Sequence, residues 1–246
     1  MPHDIGKFER RRVLALAGLV GSALLGCASE TRAPRSAEAE ADENGEAEVT
    51  PGEDLMQEHG VLERVLLIYD EAARRCDAGE QLDFAIVEQG AEIVRRFIEE
   101  YHEASEERFV FPRLQKAGRE TELVAVLLRQ HQRGRELTAE IRQQARAAAG
   151  ARLSPLVAAF SRMYRPHAAR EDTVLFPAFR ELVGRRAYAE LGEQFEDEEH
   201  KRFGKHGFED TVKEVLRLES TLGIADLSQW TPSNLSPDQP QQPGPK

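Results

Sequence analysis

Cysteine is scarce in this chain: Cys27 and Cys76 are the only two in 246 residues. Two thiols exclude a disulfide framework, a four-cysteine zinc site and a four-cysteine iron–sulfur cluster built within one chain. Basic residues are also short, 33 against 44 acidic. No strongly basic block lies outside the extreme N-terminus, so nucleic acid is not an expected partner. The apolar stretch from Val13 to Gly26 is too brief for a stable membrane-spanning helix. Between Leu55 and Trp230 no alternation of period two is sustained, which argues against strands, and no haem, flavin or nucleotide motif is visible. A bound metal must therefore use histidine and carboxylate, and seven histidines are available: His3, His59, His102, His131, His167, His200 and His206.

The two ends differ from the body. Arg10, Arg11 and Arg12, the apolar stretch after them and then Cys27 fall in the order of an export signal over residues 1–27. Arg10-Arg11 followed by Val13-Leu14 resembles the twin-arginine export motif, with Glu9 where Ser or Thr is usual, and Leu24-Leu25-Gly26-Cys27 resembles a bacterial lipobox. The competing reading is a cytosolic protein with an apolar N-terminal helix; export to the cell envelope, with a lipid anchor to the membrane at Cys27, is preferred. Residues 28–54 are rich in Ala and Glu and poor in large apolar side chains, which predicts an acidic, disordered tether. Residues 229–246 hold five prolines, a density that forbids helix and predicts an extended tail.

Residues 55–228 read as helical throughout, with apolar side chains recurring every three or four positions. One helix is expected from about Glu53 to Cys76, closed by Asp77-Ala78-Gly79, and a second from Asp83 until Pro112 stops it. A third spans roughly Glu120 to Ala149, and a fourth starts at Ser154-Pro155 and ends before Pro177. Further periodicity over Arg185–Phe203 and Phe208–Leu222 predicts one or two extra helices on the flank. The expected fold class is all-α, an antiparallel up-and-down four-helix bundle with C-terminal additions.

Each of the four main helices carries one histidine on its apolar stripe: His59, His102, His131 and His167. A single histidine on such a face is usually a core residue satisfied by a neighbour; four together are harder to explain as packing. Two of them precede a glutamate by four residues, His102 with Glu106 and His167 with Glu171, so each pair projects from one helix face. Taken alone, either pair reads as a surface salt bridge. The pattern repeats, however: both run on to Phe-Pro, at Phe111-Pro112 and Phe176-Pro177, as in a duplicated helical hairpin. Burying two carboxylates among four imidazoles is costly unless a cation compensates.

With these residues in view, the chain resembles the hemerythrin-like family of bacterial cation-binding domains over about residues 53–180. Gln57-Glu58-His59-Gly60 and His167-Ala168-Ala169-Arg170-Glu171-Asp172 carry much of the likeness. The resemblance implies a non-haem centre of two iron ions with an oxo bridge, held by His59, His102, Glu106, His131, His167 and Glu171. Iron is preferred to zinc because a closed zinc site takes four ligands and six are offered here, and it is preferred to manganese as well. The family's oxygen carriers have a further histidine where this chain has Arg135. Its absence leaves more coordination positions open and implies a reactive centre rather than a reversible carrier.

The expected function is to bind or reduce a small oxidant or diatomic gas (oxygen, nitric oxide or peroxide), with electrons from a partner that the sequence does not name. The alternative is an iron-binding or sensing module without turnover, and a third possibility is a metal-free interaction domain. Glu63, Tyr101 and Tyr164 lie near the expected ligands and are read first as packing or exposed groups. His200, His206 and Cys76 are given no role.

Overall fold

A computed structural model describes residues 49–232; the expected export signal, most of the tether and most of the proline-rich tail lie outside the described residues. Helix α1, Pro51–Ala78, is entered through a capping box in which Glu53 and Thr50 satisfy each other's backbone N–H groups. It closes at Gly79, whose φ of 67° is the left-handed conformation that ends helices. Helix α2 covers residues 84–116 and is capped by Asp83. Helix α3 is Thr121–Arg146, α4 covers 150–183, α5 is Arg185–Phe203 and α6 is Gly207–Leu222; a short 3-10 turn, Leu227–Trp230, follows. No strand occurs among the described residues, and no helix among them is long and apolar enough to cross a membrane.

The two Phe-Pro motifs do not end their helices as expected. In each, a π-helical turn begins at the glutamate (Glu106–Val110 in α2, Glu171–Leu175 in α4) and the helix resumes at the phenylalanine with proline in its first turn. Proline has no N–H to give, and at the start of a new helical segment none is required. The Arg113 guanidinium donates to the Phe109 carbonyl and so satisfies one acceptor in this stretch. A longer π-helical stretch, Val94–His102, precedes the first motif. The start of α4 also differs from expectation: the chain reverses at Ala148, φ 48°, and α4 begins at Gly150, so Ser154 and Pro155 lie inside its early turns.

Helix α1 packs on α4, α4 on α3, α3 on α2 and α2 on α1, while α6 lies along α1 and α2 and α5 touches α1 and α4. Inside this ring are two apolar clusters. The larger includes Leu62, Val65, Tyr69, Val94, Phe97, Ile98, Leu137, Ile141, Phe160 and Tyr164; the smaller includes Leu55, Val110, Phe111, Leu127, Leu175, Phe176 and Phe195. Burying each such large side chain stabilises by about 1.5–3 kcal/mol. Along every main helix the expected metal ligands fall between a residue of one cluster and a residue of the other, as His59 does between Leu55 and Leu62. The packing therefore creates a polar layer sealed above and below by apolar side chains.

Candidate metal centre

The structure brings all six sequence-predicted residues into this layer. His59, His102, His131 and His167 are each at most 5% exposed, and Glu106 and Glu171 are fully buried. All four Nε2 atoms face the two carboxylates. Glu171 Oε2 lies 3.3 Å from His59 Nε2 and 3.0 Å from His167 Nε2; Glu106 Oε2 lies 3.6 Å from His102 Nε2 and 3.5 Å from His131 Nε2. The Nε2 atoms of His131 and His167 are 3.3 Å apart.

The opposite ring nitrogens each have a partner of their own. Each Nδ1–H donates to an oxygen: His59 to Asp172 at 2.7 Å, His102 to Glu58 at 2.8 Å, His131 to Glu107 at 3.0 Å and His167 to Gln130 at 2.9 Å. A neutral imidazole with its proton on Nδ1 presents a bare lone pair at Nε2. With all four imidazoles neutral, four lone pairs point at carboxylate oxygens, and none of the four oxygens of Glu106 and Glu171 has a hydrogen-bond partner. Acceptors facing acceptors in a dry interior repel unless a cation stands between them, so the donor set fits metal ions.

Electrostatics lead to the same deficit of positive charge. Burial disfavours charge on His59, yet the hydrogen bond to Asp172 and the negative charge of the nearby Glu171 prevail and raise its pKa to about 9. Burial and then the charge of Glu171 push the Glu106 carboxyl well above its ordinary range. Burial works in that direction on Glu171 too, but the neighbouring His167 and His59 draw it down instead. Burial, aided by a charged His59, holds His102 far below its usual value. Without an ion, the layer recruits protons in its place.

An approximate internal two-fold relates α1–α2 to α3–α4, and it extends beyond the ligands. Phe176 stacks on His59 at 5.7 Å and Phe111 on His131 at 5.5 Å, which gives the repeated Phe-Pro motif its purpose. Glu58 and Gln130 are equivalent under this relation, each preceding a helix histidine; so are Glu107 and Asp172, each following a buried glutamate. These four orienting residues escaped the sequence reading. Their signal was present as polar residues adjacent in sequence to each ligand, but neighbours in a helix point about 100° apart, so adjacency alone does not show that they reach the next helix.

The remaining candidates fall elsewhere. Glu63 is on the surface, paired with Arg165 at 3.0 Å. Tyr101 packs against Phe97 and Phe203. Tyr164 lies closer to the centre: its ring is 5.3 Å from that of His167 and its hydroxyl donates to Glu103 at 2.6 Å. Arg135, where a fifth histidine could have stood, bonds Glu103 at 2.9 Å and Glu107 at 2.7 Å. His200 is exposed near Glu196, and Cys76 is half-buried with a free thiol. A groove of about 350 Å³ between α1 and α4, lined in part by Gly60, Ala168, Ala169, Asp172 and Tyr164, reaches His59 from the surface.

Fold and site together define a helical bundle that binds metal through clustered histidines and glutamates. The chain belongs to the Hemerythrin HHE cation binding domain family, whose profile matches residues 50–179. It is 45% identical over 234 residues, 91% of either chain, to the uncharacterized protein Rv1995 of Mycobacterium tuberculosis (strain ATCC 25618 / H37Rv). The same identity and coverage hold for the uncharacterized protein Mb2018 of Mycobacterium bovis. No solved structure matches the chain significantly.

Proposed function

We propose that the chain is an antiparallel up-and-down four-helix bundle housing a non-haem centre of two iron ions, at which a small oxidant or diatomic gas is bound or reduced. The alternation of the four helices between the two apolar clusters supports the topology. In this reading His59, His102, His131 and His167 would hold the ions through Nε2, together with the carboxylates of Glu106 and Glu171. The observation that carries the reading is the convergence of four Nε2 atoms on two buried carboxylates whose oxygens have no hydrogen-bond partner. Bound iron would supply redox electrons and open coordination positions. The chain's own part is to fix the imidazoles through their Nδ1 partners, to exclude water with Phe111, Phe176 and the apolar clusters, and to admit a small ligand through the groove at His59.

Export and a lipid anchor at Cys27 belong to the same proposal and place the centre in the cell envelope, where an electron-donating partner would have to reach it. Addition of nitric oxide, oxygen or peroxide to the anaerobic iron-loaded protein tests the gas reading. A change in the visible spectrum saturating at about one equivalent per centre is expected. An iron-loaded protein indifferent to all three would leave the alternative, an iron-binding or sensing module without turnover.

A further inference from the structure

The internal two-fold is broken where the imidazoles are held from behind. On one side, His59 and His102 both donate to carboxylates, Asp172 and Glu58. On the other, His167 donates to the neutral amide oxygen of Gln130. His131 does donate to a carboxylate, Glu107, but the same Oε1 atom also accepts from the Arg135 guanidinium at 2.7 Å, which offsets much of its charge. A carboxylate behind an imidazole pushes electron density toward Nε2 and strengthens it as a ligand; an amide, or a carboxylate already bound to a guanidinium, does so less. The donor sets differ in the same sense. His59, His102, Glu106 and Glu171 offer four ligand atoms within mutual reach, whereas His131 and His167 share such a cluster only with Glu171.

Resting on the two-ion reading above, we infer that the two metal positions are inequivalent: the ion between His59 and His102 binds first and is retained, while the ion between His131 and His167 binds second and exchanges. Gln130 is the positioning residue that sets the difference. Its counterpart Glu58 shows that a carboxylate fits the equivalent place, so the neutral amide is a feature of this chain and not a demand of the backbone. Over the range of free metal between the two dissociation constants the protein holds one ion, and only above it does it hold two. Completion of the two-metal centre is therefore governed by metal supply.

The test is a titration of the metal-free full chain with cobalt(II), followed by its visible absorption in competition with a chelator. Wild type is expected to fill in two steps whose dissociation constants differ on the order of 10–100-fold, the usual effect of such orienting partners. Gln130→Glu should tighten the second step and leave the first in place, narrowing the ratio; Gln130→Leu should widen it. Gln130 is only half-buried, so both variants should fold, and a merely structural role would not produce opposite shifts in one step alone. Two equivalent ions in wild type, or a ratio unmoved by Gln130→Glu, would overturn the inference while leaving the two-metal centre intact. Failure to bind cobalt at all would remove the centre and this inference with it.

Discussion

Glu103 shows how far the polar layer reaches beyond its ligands. It is 1% exposed, accepts from the Tyr164 hydroxyl and meets Arg135. Burial raises its pKa from 4.5 to about 8, more than Tyr164 and Arg135 can offset. In the metal-free protein the folded state therefore holds a proton that the unfolded chain releases above about pH 4.5. The stability this proton contributes is full below that value and is lost progressively as pH rises toward 8. Glu103→Gln removes the titration, so urea denaturation of metal-free protein at pH 5 and pH 8 should show a shallower fall in the variant; parallel slopes would contradict the assignment. At this scale the sequence was legible where residues repeat. His102 with Glu106 and His167 with Glu171 are found by spacing alone, whereas Glu58, Glu107, Gln130 and Asp172 are found only once two helices are placed side by side.

Between elements, closest approach matters more than composition. Gly134 of α3 faces Tyr164 of α4, and a Cβ there would lie 1.9 Å from the Tyr164 hydroxyl oxygen and 2.7 Å from the ring carbon bearing it. Gly134→Ala should displace Tyr164, break its bond to Glu103 and destabilise the protein by about 1–3 kcal/mol, the usual cost of overpacking. Thermal denaturation measures this; an unchanged midpoint would mean that the two helices are not so tightly joined. The helices themselves were readable from apolar periodicity, including both flanking ones: Arg185–Phe203 has the expected limits and Gly207–Leu222 starts one residue earlier than expected. What misled was proline. Pro112 and Pro177 signal an end to a helix in sequence, but the π-helical turns before them let α2 and α4 continue. No local pattern of residue types announces such a turn, although turns of this kind are frequent at functional sites.

As a whole, the molecule places several acidic groups in its interior, with Glu58, Glu99, Glu103, Glu106 and Glu171 all at most 6% exposed. Cations that answer the carboxylates at the centre of this core stabilise it beyond what protons can, so metal occupancy and folding are coupled. Chelation should lower the melting temperature and return of iron should restore it. A melting temperature indifferent to chelator would mean that the layer is satisfied without an ion.

Whether the six side chains His59, His102, Glu106, His131, His167 and Glu171 hold two metal ions is decided by elemental analysis of the protein purified from iron-replete cells. Two irons per chain are expected in wild type and in His200→Ala, with marked loss in His102→Ala and Glu106→Ala. A protein with no transition metal after iron reconstitution, or one whose iron survives both ligand substitutions, would contradict that expectation.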